Sequence, residues 1–499
     1  MSSPPLVRAP AHPAELLLRD VLVVDPRAGL DARRDLLVRG GVIAEVGAPG
    51  TLPTDGETEA GVEVEVVEGG GRLWAVPAFV DPHVHLRSPG EEHKEDIESG
   101  TRAAAAGGYG AVVAMPNTKP PIDSPERLQA VRETAARQAH VPVGFLAALT
   151  TGLAGECLTD GAALREHGAS GFTDDGNPVA NAGVLREALQ VQRAYGGVVA
   201  LHEEDRTLSR GGAMREGALS AELSVPGVPC VSESSMVARD AVLAGSEGAR
   251  VHFQHLSGVA SVQALAAAKA HGARVSAEAT PHHLLLTEEA VRGVEAYGDT
   301  RAQTHWDIGA GSDPDTRAKP QPDTGSESHP DTRAKMNPPL ATEADRKALV
   351  EALRAGTIDC VATDHAPHAR AEKELPFAQA PMGTTGLETA FAALYTELVL
   401  PGVLDFSVLV ERMTAGAALF ELPVPTVAPG EQANIALIDL EAEWTAGEHG
   451  WQSRSEGCCF AGRRLRGRVV MTVAAGAVAY RYRGPAGDAV GRVGRVVAV

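Results

Sequence analysis

The chain has 499 residues, with 45 Lys and Arg against 65 Asp and Glu, a formal charge of −20. That balance argues against nucleic acid and anionic membrane as principal partners. It leaves room for a small anionic substrate, because a local cation can reverse the field inside one cleft.

The start, MSSPPLVRAPAHPAELLLRD, lacks a basic segment followed by an apolar one, so no secretory signal is expected. No apolar run reaches membrane-spanning length. Cys157, Cys230, Cys360, Cys458 and Cys459 are odd in number and lack metal-type spacing, which points to a reducing, cytoplasmic compartment.

From residue 15 to about 70, the runs ELLLRDVLVVDP, DLLVRGGVIAEVG and VEVEVVEGG alternate with Gly, Pro and Asp turns, the pattern of a small antiparallel β unit. The tail repeats the pattern in ANIALIDLE and GRRLRGRVVMTVAAGAVAYRY. Residues 1–74 and 423–499 are therefore expected to form one composite β-sandwich.

The middle, residues 75–422, alternates differently. Eight short β-branched or apolar runs recur: AFVDPHVH, GAVVAMPN, VPVGFLAAL, SGFTDDG, GVVALHEED, RVHFQHLS, RVSAEATPHH and IDCVATDHAPH. Stretches of helical character separate them, such as SPERLQAVRETAARQAH. The alternation predicts an α/β chain with a (β/α)8 TIM barrel. One segment breaks it. Residues 312–335 divide into the octads SDPDTRAK, PQPDTGSE and SHPDTRAK, with almost nothing apolar. They read as part of a flexible, passive surface insertion at about 299–334.

In a parallel barrel, chemistry collects where the strands end. Strand one ends in His83 and His85, strand two in Asn117, strand four in Asp174 and Asp175, strand five in His202, strand six in His255 and strand eight in Asp364. Each alone has a structural explanation, but ligand-type residues at the same position of five βα units form a joint pattern. Residues i and i+2 of a strand share a face, so His83 and His85 can grip one ion together. Imidazole and carboxylate suit Zn²⁺, and four histidines with two acids are enough for two ions.

These motifs, with DPHVHLRSPGEEHKEDIESG, MPNTKPP, SVPGVPCVSESSMVARD, KMNPPL and CVATDHAPH, resemble the amidohydrolase superfamily and within it the long-chain bacterial dihydroorotases. The resemblance implies the barrel-plus-sandwich fold, one or two zinc ions, and reversible cyclisation of N-carbamoyl-L-aspartate to L-dihydroorotate in pyrimidine synthesis. It places metal ligands at His83, His85, Asp175, His202, His255 and Asp364, with Asp364 also the proton carrier. Substrate contacts fall on His85, Arg87, Asn117, Asn337 and His368, and on the backbone at Met382 and Gly383. His282 and His283 are expected to be structural neighbours, and Lys119 and Lys335 to sit at the surface. Glu203 and Glu204 either orient His202 or line a solvated loop.

Hydantoinases resemble the chain too, but they bridge their metals with a carboxylated lysine, and no lysine occurs here between residues 120 and 268. Other cyclic-amide hydrolases, such as allantoinases, are the nearer alternative. An inactive barrel kept as a scaffold for aspartate transcarbamoylase should have lost ligands. Docking of a live enzyme on that transcarbamoylase, and a homo-oligomer, are further expectations of the resemblance.

Overall fold

A computed structural model describes residues 5–53, 64–293, 330–483 and 493–494. Eight parallel strands form the central sheet: β1 (Phe79–Val84), β2 (Tyr109–Ala114), β3 (Val143–Ala147), β4 (Gly171–Phe172), β5 (Val199–Leu201), β6 (Val251–Phe253), β7 (Val275–Ala279) and β8 (Cys360–Val361). They lie in sequence order, each paired with the next. A parallel bridge between Val84 and His365, with the His85 amide donating to the His365 carbonyl at 2.9 Å, brings β8 back to β1 and closes the barrel.

All eight strand runs expected from the sequence are present. Their runs are mostly apolar because helices cover the outside, with polar side chains such as His252, Ser276 and Glu278 among them. α1 (Ile97–Ala106), α2 (Pro125–Gln138), α3 (Gly161–Glu166), α4 (Ala182–Tyr195), α5 (Val231–Glu247), α6 (Val259–Ala270), α7 (Glu343–Ala355) and α8 (Phe406–Thr414) each follow the strand of the same number. Local chemistry sets their ends. Ser124 accepts from the Arg127 amide and is followed by Pro125 at the first helical position of α2. Thr342 and Asp345 form a capping box on α7, and Gly356 in the left-handed region ends it.

Both chain ends build a second sheet. The strand Ile435–Thr445 pairs antiparallel with Leu73–Pro77 on one side and Arg464–Ala474 on the other, so the tail is stitched to the N-terminal region. The sheet is mixed: Leu16–Asp25 runs antiparallel to Leu30–Arg39 but parallel to Glu65–Glu68 and Leu73–Pro77. Leu18, Val23, Ile435, Leu437 and Val473 are buried in its core. Trp74 meets Phe406 of α8 edge-on and so joins this sheet to the barrel, where Phe79 of β1 stacks on Phe391.

The connection between Ile435–Thr445 and Arg464–Ala474 reaches the mouth of the barrel. Ser455 donates to the His368 carbonyl at 2.7 Å, and the Cys459 amide donates to the Thr384 hydroxyl at 2.9 Å. Residues folded with the terminal sheet thereby brace loops that follow β8.

Most of the octad stretch lies outside the described residues. Its last part does not: Thr332–Ala334 form a 3-10 turn capped by Asp331, whose amide donates to the Val291 carbonyl at 2.7 Å. The expectation of a surface position for Lys335 fails. Lys335 is only 4 % exposed, and its ammonium donates to the carbonyls of Phe377, Ala378 and Ala380 at 2.7, 3.2 and 2.7 Å. Three fixed acceptors replace its hydration. Lys119 is exposed and pairs with Glu91.

Candidate active site

The strand ends bring His83, His85, Asp175, His202, His255 and Asp364 into one cluster, all buried. His83 Nε2 stands 3.5 Å from both an Asp175 oxygen and an Asp364 oxygen. His85 Nε2 is 3.0 Å from Asp364 and 3.5 Å from Asp175. His202 Nδ1 lies 2.9 Å from His255 Nε2 and 3.9 Å from Asp175. Asp175 thus stands between the β1 pair and the β5–β6 pair, and each pair makes with it a trio whose ligand atoms lie within 4.8 Å of one another.

The two acids of TDDG have separate tasks. Asp174 accepts from the amides of Leu149 and Thr150 at 2.9 Å each and from the Thr150 hydroxyl, which ties the end of β4 to that of β3. Asp175, one residue on, faces the imidazoles. Asp81 serves the framework: it accepts from the Thr363 amide at 3.1 Å and from its hydroxyl at 2.5 Å, joining β1 to β8 below the site.

Backbone strain gathers here. His255, Asp364 and Arg87 take φ of +31°, +45° and +57°, a region that non-glycine residues rarely enter. Such positions cost of order 1–3 kcal/mol each and persist where the surroundings over-determine them.

The electrostatics suit a cation. Burial alone would push His83 down, but the carboxylates of Glu278, Asp364 and Asp175 lift it to about 10. Its Nε2 is buried without a hydrogen-bond partner while facing two carboxylate oxygens. Burial works against charge on Asp364, yet the His83, His85 and His255 imidazoles hold it well below the usual carboxylate range. A pocket of facing imidazole nitrogens and carboxylate oxygens is the donor set of a divalent transition-metal site.

The expected substrate contacts ring the cluster. Asn117 bridges two members, its oxygen 3.0 Å from His85 Nδ1 and its amide donating to Asp175 at 2.9 Å. Asn337 donates to Glu204 at 3.1 Å and lies 3.2 Å from His202 Nε2. Arg87 donates from Nε to the Pro367 carbonyl at 3.1 Å, and among the described residues no acceptor bonds its terminal nitrogens. His368 donates from Nε2 to the Met382 carbonyl at 2.7 Å, while its Nδ1 has no hydrogen-bond partner and lies 3.8 Å from a Glu372 oxygen. Burial, then the charges of Arg87 and Lys373, push His368 down to about 2. Gly383 has φ of +138°, and a Cβ there would fall 2.6 Å from the Ala366 carbonyl oxygen and 2.9 Å from His368 Nε2, so only glycine lets this loop pass.

Of the two glutamates after β5, Glu204 reaches the site. Burial opposes its charge, but hydrogen bonds from His202, Ser209 and Asn337 hold it down at about 2. Glu203 is buried beside Asp240 and Arg239. His283 is pinned by the Thr280 hydroxyl at 2.8 Å and the Pro338 carbonyl at 2.9 Å.

Two residues near the site escape the sequence reading. Glu278, inside β7, lies 2.6 Å from His83 Nδ1. Lys373 donates to the carbonyls of Pro381 and Gly383 at 3.0 and 2.8 Å, tying down the Met382–Gly383 loop. A carboxylate within a short buried strand is the signal that marks Glu278.

Comparison with known proteins agrees with this geometry. Residues 71–261 match the family model described as dihydro-orotase-like. The dihydroorotase of Syntrophotalea carbinolica is 40 % identical over 94 % of this chain and 99 % of its own, and that of Pelotomaculum thermopropionicum 39 % over 94 % and 99 %. The chain belongs to the dihydroorotase family. In fold it also resembles L-hydantoinase (dihydropyrimidinase) from Arthrobacter aurescens, with a TM-score of 0.75 at 21 % identity, covering 95 % of this chain and 97 % of that one. D-hydantoinase from a Thermus species aligns at 0.73 and 25 %, covering 96 % and 97 %. The likeness to the hydantoinases is one of fold. Among the described residues, no helix is long and apolar enough to cross a membrane.

Proposed function

We propose that the chain interconverts N-carbamoyl-L-aspartate and L-dihydroorotate at a divalent-metal centre held by His83, His85, Asp175, His202, His255 and Asp364, with zinc the ion that best suits these donors. The observation that carries the reading is the facing of imidazole nitrogens on Asp175 and Asp364 at 3.0–3.9 Å in a buried pocket. When bound, such a cation supplies Lewis acidity, lowering the pKa of water toward about 7 and polarising an amide carbonyl.

The chain's own residues do the rest. Asp364, ionised and 3.0 Å from His85 Nε2, accepts a proton as water adds to the ring amide carbonyl and passes it to the departing ring nitrogen. Ring closure runs the same transfer backwards. Arg87 turns its two terminal nitrogens on the substrate carboxylate, the planar fork that such a group matches. His368, held by its Nε2 on the Met382 carbonyl, lines the pocket beside Arg87 as a neutral ring. Asn117 holds the His85 ring and the Asp175 carboxylate in register, so the reacting groups meet pre-aligned. The backbone of Met382 and Gly383 and the Asn337 side chain close the remaining wall.

The deciding experiment is turnover of dihydroorotate beside hydantoin and allantoin, with elemental analysis of the same sample. Dihydroorotate turnover with zinc present is the expected result. Turnover of allantoin or hydantoin alone would reassign the substrate, and a metal-free, fully active protein would remove the centre.

A further inference from the structure

We propose that Glu278 is a positioning residue of the centre, fixing the ring orientation and tautomer of His83, and that His252 holds Glu278 in place. The inference rests on the reading of the cluster as a cation site and deepens it.

Ser276 and Glu278 alternate with Val275, Ala277 and Ala279 along β7, so they share one face, which points into the barrel. Glu278 is 0 % exposed, so its charge must be answered by nearby donors. Its Oε1 is 2.6 Å from His83 Nδ1 and accepts from the His255 amide at 3.2 Å. Its Oε2 is 3.0 Å from His252 Nε2, and the other nitrogen of that ring is 2.9 Å from the Ser276 hydroxyl. One carboxylate therefore touches the ring of one proposed ligand and the backbone of another, while a second imidazole anchors its far side.

The proton assignment follows from the acceptors. A carboxylate at 2.6 Å calls for a hydrogen on His83 Nδ1. Nε2, the atom facing Asp175 and Asp364, is then the nitrogen left for a cation, which displaces the proton those carboxylates favour there. A metal-bound histidine backed by a carboxylate in this way has its tautomer fixed and its basicity raised.

His252, Glu278 and Cys360 could also be read as a separate cation site, since their ligand atoms lie within 4.8 Å of one another. The geometry speaks against it. Both Glu278 oxygens and both His252 nitrogens already stand at hydrogen-bond distance from partners. Burial pushes the Cys360 thiol well up, so it stays protonated.

The test uses the isosteric variant Glu278→Gln, whose amide keeps one acceptor oxygen and turns a donor on the other ring. Zn²⁺ titration of the metal-free full-length protein should show affinity weakened about 10- to 100-fold. His252→Gln, one bond further out, should weaken it in the same direction by a smaller factor. Histidine ring ¹H–¹⁵N spectra of the metal-free protein should show the His83 Nδ1–H resonance in the parent and its loss in Glu278→Gln. A folded Glu278→Gln that binds Zn²⁺ within about twofold of a tightly binding parent overturns the proposal and leaves the centre standing. A parent that binds no divalent cation overturns the centre itself and this role with it. Should Glu278→Gln fail to fold, unchanged affinity in His252→Gln overturns the relay.

Discussion

Nδ1 of His202 lies 2.9 Å from Nε2 of His255, ring nitrogen facing ring nitrogen. Two ring nitrogens tolerate that approach only with a proton between them, and a cation can take the proton's place. His83, which its carboxylate neighbours hold protonated, must give up a proton to ligate through Nε2, so metal binding should release protons. Stripping the cation with a chelator is expected to abolish dihydroorotate turnover. It should also lower the thermal midpoint, because a ligand at 100 times its dissociation constant stabilises the fold by about 2.7 kcal/mol. Scanning calorimetry of stripped and Zn²⁺-restored protein checks this; equal midpoints and retained turnover in a protein shown to be metal-free would refute it.

Asp364→Asn keeps the size and one oxygen of the side chain but removes its capacity to carry a proton. Zn²⁺ should still bind, held by the four histidines and Asp175, while kcat falls by at least about 100-fold, the low end of what a positioned acid–base group contributes. A near-normal kcat would transfer the proton-carrying role to another group.

Arg87→Lys retains the charge and loses the fork. With Nε on the Pro367 carbonyl, the guanidinium is aimed before substrate arrives, whereas a lysine has no second anchor. KM should rise roughly 10- to 100-fold, the loss of one charged hydrogen bond of about 1.5–3 kcal/mol, with a smaller change in kcat. An unchanged KM would free Arg87 from carboxylate binding.

The barrel and the cluster are legible in the sequence for one reason. Each strand is an apolar run closed by a polar residue, and the fold puts all such ends at one rim, so His202 and His255 meet although 53 positions part them. Glu278 lies within a strand, not at its end, and nothing local shows that its face looks inward at His83. Lys335 and Lys373 are hidden for a different reason. Lysine at the edge of a polar repeat, or within a charged run such as RAEKE, reads as surface, and only the folded loop supplies the carbonyls that let these ammonium groups be buried. The mixed pairing of the terminal sheet is equally illegible, because strand direction depends on the path of the chain between strands.

Gly383→Ala tests the close passage of the substrate loop. The new Cβ would meet the Ala366 carbonyl oxygen at 2.6 Å at a φ of +138° that alanine rarely adopts, so the loop must shift. Stability should fall by about 1–3 kcal/mol, and KM should rise because Met382 holds His368 through its carbonyl. Thermal unfolding and steady-state kinetics read the two effects; a variant unchanged in both would show the loop to be slack.

Lys373 is expected to give the site a dependence on pH. Burial first, and then repulsion by the Lys335 ammonium, lower it to about 8, with Asp331, Cys459 and Glu372 pulling the other way. The unfolded chain holds that proton up to its ordinary value near 10.5. Between about 8 and 10.5 the unfolded state therefore binds more protons than the folded one, and this group's contribution to stability rises with pH there. Its effect on binding has the opposite sign. The ammonium serves the Pro381 and Gly383 carbonyls and, at 3.5 Å, that of Lys335; the neutral amine has one hydrogen fewer for the same three oxygens. KM for dihydroorotate is expected to climb as pH passes 8, on a profile with a midpoint that Lys373→Met erases. In that variant KM should be raised at every pH and show no step. A parent profile flat from pH 7 to 9.5, or a step that survives in Lys373→Met, would separate this lysine from substrate binding.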